Sequence, residues 1–397
     1  MRKMRWSAWV LAVFLFCGFL LPLFLKGDPR EPVAAPFSKP VWADRTQAPA
    51  MSFTVPPGEA GKTFSWSWEA PRGLSVTGEV LFAKTPSKAA LVWETPAGAK
   101  WVLSDLSGQN RWTLDLDARD MAFRISLGLS PFDESLRGLF DKHGTIRVRI
   151  ESDVPVERSS LMVQIPGERW GLFGTDQRGR DVFLLFLYGI RVSLFVGILA
   201  VLVSSLIGLA AGLVAGYVGG AADTFLMRTV DVLLSVPLLP VLMVLAALWG
   251  KGLWQLVLIL GLFSWMGTAR TVRSMALSFR EAPYVEGLRA LGAPTFYILA
   301  RHGIPTVLPL LLANIALGVP GVILSEAALA YLGLSDPRVI SWGRMLHEAQ
   351  SFGAFTTGAW WLLLPPGLGI ALLCLAFMDL GRALEEWADP RLKGGRA

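Results

Sequence analysis

The chain has 397 residues, of which 53% are hydrophobic and only 17% charged, and its mean hydropathy is +0.49. This composition is too apolar for an ordinary soluble protein and indicates a membrane protein. The net charge of +6 gives no basic patch, because the Lys and Arg residues stand at the ends of apolar runs, so nucleic-acid binding is not indicated. Cys17 and Cys374 both lie inside apolar runs and imply no disulfide.

Six apolar runs are long enough to cross about 30 Å of hydrocarbon, which takes roughly 20 helical residues. They are Trp6–Leu25, Val192–Gly216, Val230–Trp249, Leu253–Leu277, Thr306–Leu332 and Ala359–Leu380. The first follows a basic start, so it is either a cleaved signal peptide or an uncleaved anchor. Its long apolar core and the lack of a convincing cleavage site favour the anchor. Pro237 and Pro240 in the third span, and Pro320 in the fifth, are expected to kink those helices or to free backbone carbonyls.

The positive charges predict which side of the membrane each connection faces. If the N-terminus is inside, alternation places thirteen Lys and Arg residues on the inner side, counting Arg270 and Arg273 near the inner end of the fourth span, and four on the outer side, leaving aside the long segment after the first span. This asymmetry follows the positive-inside rule. Both termini are therefore expected in the cytoplasm, and residues 27–190 outside it.

The long segment between the first two spans predicts a β-rich domain. It begins with a Pro-rich linker over residues 27–50, and apolar and polar residues then alternate in TFSWSW, RWTLDLD and TIRVRIES. Turn-forming PRG, PAGAK and SGQN stretches separate these runs, which predicts an antiparallel β-sandwich with half-buried tryptophans in its core. The predicted boundaries are an anchor helix at 1–26, the β-rich domain at 51–170, an interfacial segment at 171–190, a transmembrane domain at 191–382 and a cytoplasmic tail at 383–397.

Motifs that would indicate an enzyme are incomplete. PPGEAGKTF nearly spells a phosphate-binding loop, but Pro56 stands where the first glycine belongs and an alternating strand follows Lys62. His143, His302 and His347 are far apart and lack the neighbouring carboxylate or cysteine spacing of a metal site. We therefore predict no catalytic residues, no metal site and no cofactor bound by this chain.

Glycines recur every fourth residue in the second span, at Gly208, Gly212, Gly216 and Gly220. This spacing places them on one face of a helix, where the absence of side chains lets another helix approach closely. Packing within the bundle and packing against another subunit are equally compatible with the pattern.

Polar residues in or near the spans are candidates for a transport path or gate. Asn314 and Glu326 lie in the fifth span, where a buried carboxylate is costly, although a hydrated position near the outer boundary is the alternative for Glu326. Asp176, Arg180 and Asp181 belong to GTDQRGRD before the second span. They are gate candidates, catalytic candidates in a membrane enzyme, or members of a structural turn held by Arg–Asp pairs.

A short helical pattern separates the fourth and fifth spans, in EAPYVEGLRALGAPTFYILARHGIP, Glu281–Pro305. Four residues give it an apolar face over two turns: Tyr284, Val285, Leu288 and Leu291. Gly292 followed by Pro294 forms a normal helix stop.

This helix needs a partner surface, because a helix of about two turns is unstable alone. Glu286 and Arg289 stand three residues apart on its exposed side and can pair. The glutamates Glu281 and Glu286 count against lipid headgroups as the partner. A groove on another protein is the better interpretation.

The loop resembles that of the membrane permease subunits of ABC importers for peptides and nickel. Their cytoplasmic loop reads E-A-A, three residues, G, nine residues, I, one residue, L-P. The chain matches it at Glu286, Gly292 and Pro305, and departs from it at Gly287, Leu288, His302 and Ile304. Further similar stretches follow in the family's order from about residue 173 to 393: FGTDQRGRDVF, YGIRVSL, GYVGGAADTFLMRTVDVLLSVP, YVEGLRALGA, LSEAALAYLGLS, SWGRML and DPRLK.

The resemblance implies a mostly α-helical membrane protein with six transmembrane helices of the type I ABC importer permease fold. The β-sandwich would be an extracytoplasmic insert between the first and second helices, larger than the loop expected in the family. The implied coupling helix covers about 281–294, and the residues implied to contact an ATPase are Glu281, Tyr284, Val285, Glu286, Gly287, Arg289, Ala290, Leu291 and Gly292.

Within this family, the chain resembles the second of two paired permeases of the bacterial inner membrane. Its partners would be a homologous permease, two cytoplasmic ATPases that hold ATP and Mg, and an extracytoplasmic binding protein. Peptides are the first expected substrate, with nickel or an oligosaccharide as alternatives. A membrane-anchored ligand-binding receptor is a rival interpretation, but the cytoplasmic segments are too short for a signalling domain. A membrane enzyme acting on lipids or cell-wall fragments is the other.

Overall fold

The structure is a computed structural model that describes residues 2–25, 27–43, 46–57, 61–118, 120–129, 136–140 and 144–388. It divides the chain into two compact units, Asp28–Phe183 and Met1–Gly27 with Leu184–Ala397. We call the first the β-rich unit and the second the helical unit.

The described α-helices lie in both units, and most of their residues are in the helical unit. In chain order they are α1 (Arg2–Leu15), α2 (Leu21–Phe24), α3 (Met121–Ser126), α4 (Val182–Leu213), α5 (Gly220–Ser235), α6 (Leu238–Trp249), α7 (Leu253–Phe263), α8 (Trp265–Arg280), α9 (Pro283–Ala290), α10 (Thr295–Ile298), α11 (Ile304–Tyr331), α12 (Trp342–Ser351) and α13 (Leu364–Ala388). Short π-helical turns connect some of them, at Phe16–Leu20, Val214–Val218 and Leu299–Gly303, and a 3₁₀ turn lies at Trp360–Leu362.

Five helical segments in the described residues are long and apolar enough to cross a membrane. They are Trp6–Phe24, Val182–Val218, Leu253–Arg280, Thr295–Tyr331 and Trp360–Ala388. The pair Gly220–Ser235 and Leu238–Trp249 passes the same test together and would make a sixth span. The chain is therefore a multi-pass membrane protein with a number of spans close to the six predicted.

The predicted third span, Val230–Trp249, is wrong as a continuous helix. The structure breaks between α5 and α6, and the two axes differ by 89°. Val236 at the break is extended, with φ −89° and ψ 132°, because the ring of Pro237 disfavours helical geometry in the residue before it. Pro320 lies inside α11, which continues through it.

The glycines of the second span pack within this chain. An added Cβ would lie 2.7 Å from Thr268 Cβ at Gly208, 2.6 Å from Val272 Cβ at Gly212 and 2.6 Å from Ala276 Cβ at Gly216. These three glycines therefore face α8, whose backbone lies against them. Gly220 does not share this face: the π-helical turn Val214–Val218 interrupts the register, and Gly220 begins α5 with φ +60° and no neighbour within 4 Å.

The N-terminal helix is packed against the second span. A Cβ on Gly18 would lie 2.7 Å from Ile190 Cγ2, and the Arg191 Nε–H donates a hydrogen bond to the Gly18 carbonyl. The Arg191 guanidinium also lies 4.7 Å from the centre of the Tyr188 ring. An arginine within an apolar span is thereby hydrogen-bonded to a carbonyl of the π-helical turn Phe16–Leu20.

The β-rich unit contains two antiparallel sheets. Its strands are β1 (Met51–Thr54), β2 (Lys62–Trp66), β3 (Ser75–Phe82), β4 (Ala89–Glu94), β5 (Lys100–Asp105), β6 (Arg111–Asp117), β7 (Gly144–Ser152), β8 (Val156–Ser159) and β9 (Met162–Ile165). One sheet has the order β1-β9-β3-β6, with β8 also paired to β3, and the other has the order β2-β7-β4-β5.

Both sheets contribute to one buried apolar cluster. In β7 the side chains of Ile146, Val148 and Ile150 are at most 1% exposed, as the alternation in TIRVRIES indicates. Trp66 and Trp93 are fully buried rather than half-buried, and the Trp93 indole N–H donates to the Leu139 carbonyl at 2.8 Å. Large aromatic side chains therefore fill the core of this unit.

Candidate functional site

The short helix α9 is fixed at both ends by its own sequence. Pro283 occupies its first turn, where a missing N–H costs no hydrogen bond. Gly292 has φ +80°, a conformation that disfavours other residues. The Gly292 N–H donates to the Arg289 carbonyl at 2.9 Å and the Ala293 N–H donates to the Leu288 carbonyl at 3.0 Å, which closes the last turn.

One face of α9 is anchored on the helical unit. Val285 is fully buried in a cluster with Tyr217, Phe279 and Ile298, and Leu288 packs against the same cluster. Phe279 belongs to α8, so the helix that precedes the loop contributes to the apolar cluster on which α9 packs. A helix too short to persist alone is thereby held in place by apolar contacts.

The opposite side of the loop presents exposed apolar residues. Leu291 is 86% exposed and Phe296 is 83% exposed, and Tyr284 and Tyr297 are about half-exposed. We call these four residues the loop patch. Contiguous exposed apolar side chains mark interaction surfaces. Along the predicted apolar face of α9, Val285 is buried and Leu288 is partly buried, whereas Tyr284 and Leu291 are exposed.

Arg289 contacts Tyr217 rather than Glu286, with which its spacing would allow it to pair. The Arg289 Nε–H donates to the Tyr217 hydroxyl at 3.0 Å, and the guanidinium carbon lies 4.6 Å from the centre of the Tyr217 ring. A planar guanidinium stacks on an aromatic face more favourably than it pairs with a carboxylate in water. The remaining predicted coupling residues, Glu281, Glu286, Gly287 and Ala290, are exposed.

Comparison with known proteins decides the family. Residues 208–394 match the family model for binding-protein-dependent transport system inner membrane components. The chain is 38% identical to the dipeptide transport system permease protein DppC of Bacillus subtilis over 240 residues, which are 60% of this chain and 74% of that protein. The chain belongs to this family. The permease is also 35% identical over 222 residues to the oligopeptide transport system permease protein OppC of Bacillus subtilis, covering 56% of the chain and 72% of that protein.

A putative peptide permease of Brucella suis is 38% identical over 221 residues, which cover 55% of this permease and 72% of that protein. Among solved structures, the inward-facing MetNI methionine ABC transporter aligns with a TM-score of 0.39 at 20% identity, over 51% of this chain and 96% of that chain.

Membership of this family makes the chain a permease subunit of an ABC importer and not an enzyme, which confirms the function predicted from the loop and the ordered motifs. Family membership therefore excludes the interpretations as a ligand-binding receptor and as a membrane enzyme. Within the described residues, no group of three or more His, Cys, Asp or Glu side chains lies close enough to hold a metal ion. His143 and residues 58–60 of PPGEAGKTF lie outside the described residues, and Lys62 begins strand β2.

The GTDQRGRD segment of the permease forms a hydrogen-bonded turn. Asp176 is 4% exposed; its carboxylate accepts hydrogen bonds from two backbone N–H groups of the same turn and, at 2.6 Å, from the Arg180 Nε–H. Asp181 caps α4 by accepting from the Phe183 N–H at 2.8 Å, and it also accepts from the Trp170 indole at 2.9 Å. These carboxylates shape the chain that enters α4, as the structural-turn alternative describes; a role as a gate stays a prediction.

The two polar candidates in α11 are enclosed to different degrees. Glu326 is 1% exposed; its carboxylate interacts with the Ser341 hydroxyl, while Oε2 has no hydrogen-bond partner within the described residues. Glu326 is therefore enclosed within this chain, and a hydrated or interfacial position for it stays a prediction. Asn314 is half-buried, and its Nδ2 likewise has no partner in the described part of the chain. Their place on a transport path stays a prediction.

Ser341 joins Glu326 to the start of α12, and replacing it tests this contact. The Ser341 hydroxyl caps α12 by accepting from the Arg344 N–H at 3.2 Å. Ser341→Ala removes both the cap and the partner of a buried carboxylate, so we expect a loss of about 1–3 kcal/mol in thermal unfolding of the purified permease. Ser335→Ala is the matched control, because the buried Ser335 hydroxyl has no partner within the described residues. Equal losses for both variants would contradict the assignment.

Sequence reasoning missed Tyr217 and the pair Phe296–Tyr297. Tyr217 lies in GYVGG, 72 residues before Arg289, and no spacing rule connects the two positions. The two consecutive aromatic residues between Pro294 and Ile298 were the available signal for Phe296 and Tyr297, because exposed clusters of large apolar side chains mark interaction surfaces.

Proposed function

We propose that this permease forms one half of the translocation pathway of a bacterial peptide importer and couples to cytoplasmic ATPases through the Glu281–Pro305 loop. A homologous second permease supplies the other half. Two ATPase chains carry ATP and Mg, and an extracytoplasmic binding protein delivers the substrate. This chain binds no cofactor of its own.

The observation that carries the proposal is the loop patch, which lies on the anchored helix α9 and on the residues that follow it, including α10. Leu291 and Phe296 expose more than four-fifths of their surface, while Val285 on the other side of α9 is fully buried. A rigid element that presents apolar side chains to solvent is suited to docking into a groove of a partner. The excess of Lys and Arg in the predicted inner segments supports a cytoplasmic location for this loop, and therefore an ATPase as its partner.

With the loop in the cytoplasm, alternation of the spans implies where the other parts of the chain lie. The termini lie in the cytoplasm, the bent pair α5 and α6 counts as one of six spans of the type I importer fold, and the β-rich unit is an extracytoplasmic sandwich. The family match begins at Gly208, beyond this unit. The unit is thus an addition to the shared permease core, and contact with the binding protein or the partner permease is its proposed use.

Peptides are the proposed substrate because the relatives above are named for dipeptide, oligopeptide and peptide transport. No described side chain favours nickel or an oligosaccharide. These alternatives enter as outcomes of the test.

The test is co-purification followed by uptake. The permease, purified in mild detergent from the membranes of its own organism, is expected to bring a second permease and two ATPase chains with it. Reconstituted vesicles with the binding protein are expected to accumulate labelled trialanine when ATP is supplied. Vesicles without ATP are the control. Uptake of nickel or labelled maltotriose with none of trialanine would overturn the substrate, and a permease that purifies without ATPases would overturn the coupling role.

A further inference from the structure

The Arg289 side chain of α9 contacts a residue of the second span. Its Nε–H donates to the Tyr217 hydroxyl at 3.0 Å, and its guanidinium carbon lies 4.6 Å from the centre of the Tyr217 ring. The Arg289 guanidinium therefore contacts both the hydroxyl and the ring of Tyr217. Such a contact depends on orientation as well as distance, because a flat guanidinium must meet both the ring and the hydroxyl.

Tyr217 is built into the end of the second span. It is 4% exposed and lies in the π-helical turn Val214–Val218 that follows α4. The adjacent Gly216 is in close contact with α8: a Cβ there would lie 2.6 Å from the Arg273 carbonyl oxygen. Tyr217 thus has little freedom to move independently of the span. π-helical turns inside longer helices often occur at functional sites.

A series of ring contacts surrounds the same point. The Tyr217 and Phe279 ring centres are 5.9 Å apart, and those of Phe279 and Tyr284 are 6.2 Å apart. Tyr284 in turn lies 6.2 Å from the His302 ring, beyond α9. The Arg289–Tyr217 pair therefore joins α9 directly to the inner end of the second span. Along the chain, α9 is connected only to α8 and to the α10–α11 segment.

We propose that the Arg289–Tyr217 pair is a positioning contact that transmits displacement of α9 to the second span. This proposal rests on the proposed coupling of the loop to an ATPase. Because Val182–Val218 is a single span, a movement applied at Tyr217 acts on a helix that extends to the GTDQRGRD turn. The second span then responds to the ATPases in addition to the spans on either side of the loop.

Tyr217 distinguishes this role from docking. Its side chain is buried, so a partner protein cannot touch it, whereas Arg289 is exposed and belongs to the predicted ATPase-contact set. Val285 and Leu288 pack on Phe279 and Ile298 as well as on Tyr217, so α9 keeps part of its apolar anchor when Tyr217 becomes leucine. Tyr217→Leu should therefore leave the loop in place and the ATPases bound while weakening the connection to the second span.

The experiment compares Tyr217→Leu, Arg289→Gln and the double variant in the purified complex with its ATPases. We expect trialanine uptake per ATP hydrolysed to be lower by about threefold or more in each single variant. Normal ATPase content is expected in Tyr217→Leu, because the Tyr217 side chain is buried and lies outside the predicted ATPase-contact set. The double variant should lose no more than the worse single one, because the two residues act through one contact. Tyr217→Phe keeps the ring and should retain an intermediate ratio. Arg301→Gln removes the same charge from the same loop and is the control.

A readout without substrate separates this proposal from the proposed function. Spin labels at Leu206→Cys in α4 and Leu312→Cys in α11, with Cys17 and Cys374 replaced by serine, report the movement of the second span on adding ATP. The ATP-induced change in distance should shrink with Tyr217→Leu. An unchanged distance response, or additive losses in the double variant, overturns the contact while docking stands. Absence of bound ATPases in the wild-type complex overturns both.

Discussion

Replacing Leu291 and Phe296 together with aspartate is expected to release the ATPases from the complex while the permease stays inserted in the membrane. Both side chains are more than 80% exposed in this chain, so their loss removes no internal packing. Burying an apolar side chain of this size contributes about 1.5–3 kcal/mol. Losing two of them, and placing carboxylates in an apolar groove instead, should weaken ATPase binding by roughly a hundredfold or more.

The measurement is the amount of ATPase that co-purifies with tagged permease from detergent-solubilised membranes. Val102→Asp with Ile125→Asp is the matched control, because these two apolar residues are more than half exposed in the β-rich unit. Thermal unfolding of each permease without partners checks that the fold is intact. Wild-type ATPase content in the Leu291→Asp/Phe296→Asp variant would show that the loop patch is not the docking surface.

The sequence predicted those features that depend on neighbouring residues. The stop of α9 at Gly292 follows from local backbone geometry, and φ is +80° there. The alternation in TIRVRIES, with Ile146, Val148 and Ile150 facing the core, follows from the two-residue period of a strand. Five of the six predicted spans follow from the length of helix that crosses hydrocarbon. Each of these can be read within one element.

The errors concern contacts between elements. A helix brings residues three apart close together, which allows Arg289 to pair with Glu286, but Tyr217 offers a buried ring and a hydroxyl that a surface carboxylate does not. The spacing also gives Tyr284, Leu291 and Val285 one apolar face, but it does not show which part of that face its neighbours cover. Spacing along a short helix does not determine where its neighbours lie.

Gly220 shows a second kind of error, in the continuity of a helix. Four-residue spacing places it with Gly208, Gly212 and Gly216 only if the helix keeps 3.6 residues per turn. The π-helical turn Val214–Val218 adds a residue to the turn and changes the register before Gly220. A similar loss of continuity at Pro237 divides the predicted third span. Glycine spacing and proline positions indicated where helices pack or break, but periodicity alone did not predict the π-helical turn or the 89° bend.

Gly212→Leu is expected to prevent α4 from packing against α8 and to leave little folded permease. Even a Cβ at Gly212 would lie 2.6 Å from Val272 Cβ and 2.7 Å from the Ala269 carbonyl oxygen. The second of these atoms is backbone, so the clash is relieved only by moving a whole helix. Overpacking by one methyl group costs about 1–3 kcal/mol, and a leucine adds three more carbons at a contact that small residues make possible.

Gly212→Ala provides a graded version that still yields protein. We expect its unfolding temperature in detergent to fall by roughly 2–12 °C, from about 1–3 kcal/mol in a domain of this size. Gly267→Ala is the control, since nothing lies within 4 Å of a Cβ at that position of α8. Adding Val272→Ala should not restore stability, because Val272 Cβ and the Ala269 oxygen remain where they were. Full rescue by Val272→Ala would mean that side-chain crowding, rather than close approach of the two helix backbones, fixes glycine at this contact.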